Sequence, residues 1–311
     1  MTNTITMRDA FFDALYELAK RDRNIVVVSA DMGAPSLDQF RRDLASQFVN
    51  VGIAEASMVT VAAGLALNGK RVFTYAIMPF ATARCYELIK VDFSLMNLPV
   101  TTVGIGAGFS YEDSGPTHHS TEDITIMRAL PNMIIFSPSD YVMAAKLAEV
   151  VCQIPGPTYI RLDRQMLPRL YDPKQSLTFS EGLASLKTGK DVCIIATGNM
   201  VHNALAIADK LAESSIEAGV IDLYRLKPVN EELLLDLIAS SPKLVTLEEH
   251  LLIGGLGSAV AEMLVDHGQT IPLKRFGIPD KYVYAYGGRE HIQRICGIDV
   301  ETVTKAIREW W

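Results

Sequence analysis

The sequence predicts an α/β protein of two domains, each built on a mainly parallel sheet. Three observations predict it. Short β-branched strand signals alternate with helical patterns along the chain, the order expected of βαβ units. Composition breaks after Leu167-Pro168, where Pro, Lys, Gln, Ser, Thr and Gly follow one another without periodicity. The 311 residues also suit two domains at about 150 residues each.

Element by element, Phe11, Leu15, Leu18 and Ala19 recur at helical spacing, and the run Ile25-Val26-Val27-Val28 follows as a strand. Residues 55–67 read as a small-residue helix stopped by Asn68-Gly69. Strands are expected at 72–74, 100–105, 133–136 and 158–160, with helices at 80–95, 123–129 and 139–151 between them. Thr121 is placed to cap the helix at 123. The first domain therefore takes residues 1–170 and the segment 171–190 reads as a linker. The second domain, 191–311, repeats the alternation: strands at 192–196, 218–222 and 244–247, helices at 201–211, 231–239, 256–265 and 303–310.

Composition narrows the function. Apolar residues make up 49% and charged residues 21%, ordinary for a globular chain. With 29 Lys+Arg against 36 Asp+Glu, the formal charge of −7 argues against nucleic acid or an anionic membrane as main partner. A few arginines still suffice for a small anion. Cys85, Cys152, Cys193 and Cys296 are scattered without a CxxC pair, so neither a disulfide framework nor a metal site is expected. The N-terminus lacks an uninterrupted apolar core, and no apolar run reaches the roughly 20 residues a bilayer requires. A soluble, cytoplasmic protein with reduced thiols is the expectation.

Gly104-Ile105-Gly106-Ala107-Gly108 follows a strand and Gly254-Gly255-Leu256-Gly257 opens a helix, but neither completes a dinucleotide fingerprint. Tight turns are the simpler reading. The segment 109–123, FSYEDSGPTHHSTED, leaves the carboxyl end of a predicted parallel strand, where α/β folds place ligands. Its histidine pair could shuttle protons near neutral pH, or lie solvated on a surface loop. Glu55 stands alone in a stretch of small and apolar residues at a helix start. It is either a buried, functional carboxyl with a raised pKa or an acid placed for the helix dipole.

Three stretches, VNVGIAEASMVTVAAGLAL (49–67), GPTHHSTEDITIMRALPNM (115–133) and PTYIRLDRQMLP (157–168), together resemble the carboxyl half of a transketolase. The resemblance covers essentially the whole chain. It implies a pyrimidine-binding domain followed by the smaller transketolase C-terminal domain. Full-length relatives carry a GDG…N motif for Mg²⁺ (or Ca²⁺) and the phosphates of thiamine diphosphate; this sequence has no Gly-Asp dipeptide. The resemblance therefore implies one subunit of a split enzyme. The partner chain, most simply in an α₂β₂ assembly, would hold the metal and the diphosphate. Glu55 then hydrogen-bonds the cofactor's pyrimidine nitrogen, Phe80 packs on that ring (core packing is its other reading), and His118 moves protons at the donor sugar. Arg8 and Arg164 match acceptor-anion arginines, with surface salt bridges as the alternative. Asp31 resembles a cofactor-side group, and Ser36 an acceptor-side one. Asp113 and Ser114 stand where an aspartate normally precedes GPTH.

Three departures qualify the resemblance. Ser114 replaces that aspartate, 104–108 replaces a strand end that carries a phosphate-contacting histidine, and Ala56 replaces the histidine after the glutamate. Sugar preference is thereby left open. The rival enzymatic readings are the β subunit of a 2-oxo-acid dehydrogenase and a deoxyxylulose-phosphate-synthase-like enzyme. A non-catalytic assembly subunit is the reading from another class, which needs neither Glu55 nor His118.

Overall fold

A computed structural model describes residues 5–174 and 179–310. Its strands are β1 (Ile25–Ser29), β2 (Phe48–Asn50), β3 (Arg71–Ile77), β4 (Val100–Ile105), β5 (Ile134–Phe136), β6 (Thr158–Leu162), β7 (Ala184–Lys187), β8 (Val192–Ala196), β9 (Ala218–Asp222), β10 (Arg225–Lys227), β11 (Leu244–Leu251) and β12 (Leu273–Ile278). They form two sheets, ordered β10-β5-β6-β4-β3-β1-β2 and β12-β11-β8-β9-β7. Every pairing is parallel except the edge strands β10 and β7, which run antiparallel to β5 and β9.

Strands β1, β4, β6, β8 and β9 are buried at every position, because helices cover both faces. That burial is why β-branched runs rather than alternating patterns mark them in the sequence. The first helix, Met7–Ala19, lays Phe11, Phe12 and Leu15 against the sheet and packs beside Tyr141–Cys152. Since it precedes β1 and runs opposite to it, its N-terminus returns to the edge where the parallel strands end. That edge gathers the ends of β1, β2, β3, β4 and β6.

Several local expectations are corrected. The helix expected over 80–95 is broken into Met78–Ala81, a 3₁₀ turn Ala83–Cys85, Tyr86–Leu88 and a π-helix Ile89–Leu95. Thr82 leaves the helical region at φ −119°, ψ −80°, and its hydroxyl takes the Met78 carbonyl at 2.7 Å in competition with the backbone ladder. Thr121 does not cap the helix Asp123–Arg128: Glu122 holds the cap position, and the Thr121 hydroxyl donates to the Glu122 carboxylate at 2.8 Å. His250 of the second domain instead accepts the Ile124 N–H at 3.1 Å. Within the expected linker, Tyr171, Phe179 and Leu183 are buried and β7 adds an edge to the second sheet; residues 175–178 lie outside the described residues. β10, beyond that segment, joins the first sheet.

Asp222 ends β9 fully buried, accepting from the hydroxyls of Ser139 and Tyr171 on one oxygen. Its other oxygen has no partner among the described residues. Burial pushes this carboxyl up to about 7 in spite of the two donors. A folded-state pKa above the unfolded value favours the fold while the group is protonated, and the contribution is lost as pH rises from the unfolded value through 7. Asp222→Asn is therefore expected to gain about 2–3 kcal/mol on wild type between pH 5 and pH 8. Urea unfolding at the two pH values checks this, and an equal difference at both would refute it.

Candidate functional site

Most of the singled-out residues meet at the carboxyl edge of the first sheet. Glu55 opens the helix Glu55–Leu67 and is buried. Arg84, brought in by the 3₁₀ turn after β3, donates to Glu55 Oε2 at 2.7 Å. The same guanidinium lies 4.1 Å from the Phe80 ring centre, a cation–π distance worth about 0.5–2 kcal/mol. Phe80 meets His118 edge-on at 5.2 Å, and His118 meets Tyr111 at 6.0 Å. Arg164, just past β6, stands over Tyr111 at 4.6 Å. Through Arg84 and Tyr111, Glu55, Phe80, His118 and Arg164 are thus joined in one line of contacts.

The Thr117 hydroxyl lies 3.0 Å from His118 Nδ1. His119 points elsewhere: it is buried against Phe109 at 5.0 Å, and burial pushes its imidazole toward the neutral form against the pull of Glu249. The two histidines are not an equivalent surface pair.

Arg8, at the N-terminus of the first helix, forks onto the neighbouring Asp9 at 3.0 and 3.1 Å and lies close to the buried Tyr75 phenol. That phenol oxygen has no partner at full hydrogen-bond geometry among the described residues. Burial pushes the Tyr111 phenol up, while the charges of Arg164 and Arg8 pull it down. Arg164 reaches Asp113 only at 3.8 Å, with both side chains largely exposed. Such a pair is worth at most about 1 kcal/mol. Asp113, exposed, also accepts from Ser114 at 3.2 Å.

Two expected residues lie apart from this line. Asp31, in the left-handed region at φ 55°, exchanges two 3.0 Å hydrogen bonds with Asn50, tying the loop after β1 to the end of β2. Ser36 is buried, and its hydroxyl donates to the Asp9 carbonyl at 3.3 Å. It is spent inside the fold.

The glycine runs have plain causes. A side chain at Gly106 would overlap the Tyr111 ring, and one at Gly108 would overlap the Glu249 carboxylate. Tyr111 therefore fills the strand end that the sequence shows without a side chain. At Gly254-Gly255-Leu256-Gly257, the Glu248 carboxylate accepts the Leu256 and Gly257 N–H groups at 2.7 and 2.8 Å, taking the place an anionic ligand would need. Sequence reasoning missed Arg84 and Tyr111. An arginine 29 positions after an isolated buried glutamate, and an aromatic beside GPTH, were the available signals.

Among the described residues no three His, Cys, Asp or Glu side chains converge as metal ligands, and no helix is long and apolar enough to cross a membrane. Fold and site are those of a two-domain α/β protein whose polar and aromatic groups collect where parallel strands end. Residues 3–169 match the transketolase pyrimidine binding domain and residues 183–303 the transketolase C-terminal domain. The chain belongs to the transketolase family. It is 36% identical over 310 residues to an apulose-4-phosphate transketolase subunit of Phocaeicola vulgatus, covering 99% of this chain and 98% of that one. It is 35% identical over 304 residues to a 6-deoxy-6-sulfo-D-fructose transketolase subunit of a Clostridium species, covering 97% and 94%. A solved structure described as a split gene transketolase, inactive beta4 tetramer, superposes with a TM-score of 0.89 at 35% identity over 98% of both chains. Transketolase of Campylobacter jejuni shares the fold at a TM-score of 0.83 and 19% identity, with 99% of this chain on 47% of that one.

Proposed function

We propose that this chain is the C-terminal subunit of a two-chain, thiamine diphosphate-dependent transketolase that moves a two-carbon ketol unit from a ketose to an aldose. The observation that carries the reading is the line Glu55–Arg84–Phe80–His118. It presents a buried carboxylate and an aromatic face to one planar N–H donor. The Arg84 guanidinium meets both groups now, and an aminopyrimidine ring has the same flatness and donor chemistry. The pyrimidine end of the cofactor thus fits these residues. The diphosphate and its Mg²⁺ or Ca²⁺ are assigned to a partner chain, because this sequence carries no Gly-Asp dipeptide. A partner carrying a GDG…N motif supplies that end, in an α₂β₂ assembly in the cytoplasm.

Bound there, thiamine diphosphate supplies the carbanion chemistry. Glu55 holds and returns a proton at the pyrimidine ring nitrogen. Phe80 packs on the ring, and His118, beside the Thr117 hydroxyl, moves a proton at a donor hydroxyl. Arg8 and Arg164 bind the sugar's anionic end. Guanidinium forks donate to phosphate and sulfonate oxygens alike, in keeping with relatives named for apulose 4-phosphate and for 6-deoxy-6-sulfofructose. Arg8→Ala and Arg164→Ala are each expected to raise KM for an anionic acceptor by about 10- to 100-fold with kcat little changed. Unchanged acceptor kinetics would make both arginines structural.

A decarboxylating, synthase-like activity is the second reading. It rests on 37% identity over 278 residues to a 1-deoxy-D-xylulose-5-phosphate synthase of Crocosphaera subtropica, of which this chain covers 43%. The deciding experiment assays the chain alone, then with a co-purified phosphate-binding partner, against ketose donors and pyruvate with a panel of aldehydes. Ketol transfer only in the complex is expected. Turnover by the chain alone would end the split-enzyme reading, and turnover only from pyruvate would favour the second.

A further inference from the structure

The loop that carries Tyr111, Asp113, Ser114 and His118 is closed at its neck. Gly108 and Ser120 form an antiparallel bridge, with N–H···O distances of 3.1 and 3.0 Å. The second domain grips this neck from above. Glu249, in β11, accepts the Phe109 N–H at 3.0 Å and lies where any side chain at position 108 would go. Arg289 reaches Glu249 Oε2 at 2.6 Å, both oxygens of Asp163 at 2.6 and 3.0 Å, and the Ala107 carbonyl at 3.3 Å. Gln293 adds a 2.6 Å bond to the other Glu249 oxygen. Arg289 also donates to Gln165, which in turn donates to Glu112 back on the loop. From below, Arg161 donates to the Ser120 and Glu249 carbonyls, each at 3.2 Å.

Glu249, Asp163, Arg289 and Gln293 are all at least nine-tenths buried. Three charges so deep join two domains no better than apolar side chains of equal volume would, because their desolvation offsets most of their attraction. What they add is registry: a small shift of the neck leaves a buried charge or N–H unsatisfied. We propose that Glu249 and Arg289 are positioning residues, through which the second domain fixes the 108–120 loop and hence the placing of His118 against Phe80. The inference goes beyond the proposed function and rests on it only for its kinetic arm.

Hydrogen exchange on the full-length chain, wild type against Glu249→Gln and Arg289→Lys, tests it. Peptides spanning 106–120 are expected to exchange about tenfold faster or more in both variants, with β11 and the helix Arg289–Cys296 within about twofold of wild type. In the two-chain complex, kcat for ketol transfer should fall about 10- to 100-fold, with thiamine diphosphate affinity by calorimetry unchanged. Acceleration confined to β11 and 289–296, or a loosened loop with wild-type kcat, would overturn the proposal. Should neither variant fold, Gln293→Ala must give a smaller acceleration in the same 106–120 peptides, and none there overturns it. A wild-type complex without ketol transfer defeats the proposed function and leaves the exchange result to decide this one.

Discussion

Glu55→Gln in the reconstituted two-chain complex is expected to lower kcat by about 10²- to 10⁴-fold, the range for losing a positioned acid–base group. The substitution keeps the volume of a buried side chain and removes only its charge and its capacity to take a proton. Arg84 still has Phe80 to lie on, 4.1 Å away, so the local fold loses one ion pair and little else. Assembly and KM for the sugars should stay near wild type. Steady-state ketol transfer at saturating cofactor measures the effect, and a rate within about threefold of wild type would remove Glu55 from the chemistry.

The largest stability effect is expected at Arg161. This side chain is 1% exposed and donates to Asp123 Oδ2 at 2.8 Å, with Tyr159 donating to the same oxygen at 2.8 Å. Burial pushes the Asp123 carboxyl up, but the opposite charge of Arg161 and the hydrogen bonds more than offset it and hold the group below its ordinary range. Arg161→Met removes the counter-ion and strands a carboxylate in the core. A loss of about 3–5 kcal/mol is expected, and Asp123→Asn in the same background should recover part of it by removing the orphaned charge. Denaturant unfolding reads both values. A loss under about 1 kcal/mol would mean that the carboxylate finds another partner.

The long, buried elements were legible because a covered parallel strand must be apolar on both faces. β4, β8 and β9 run as the sequence predicts, as does the helix Glu55–Leu67 with Asn68 at its end. β2, β10 and β12 were missed because they are short or carry charged residues: Arg225-Leu226-Lys227 shows one apolar residue, and β12 holds Lys274 and Arg275. At Thr82 the backbone leaves the helical region while the hydroxyl donates to the Met78 carbonyl, a local arrangement that no periodicity reveals. Within the candidate site, Glu55, Phe80, His118 and Arg164 stand out in the sequence and come together in the structure. Ser36 does not, since its burial under the first helix is a tertiary fact. Glu248 and Glu249 read as ordinary acids beside one another, yet one caps a helix and the other grips a loop 140 positions away in sequence.

β10 has a consequence for how the chain is handled and how it evolved. Residues 225–227 close the open side of β5, so the first sheet is finished only when the chain has passed well into its second half. A fragment cut near residue 170 would expose the hydrogen-bonding edge of β5, a surface prone to recruit a strand from another molecule. The two halves therefore make poor modules for shuffling or separate expression. Recombination within this lineage would have to carry them together, and a ribosome must release some sixty residues past the apparent boundary before the first half can close.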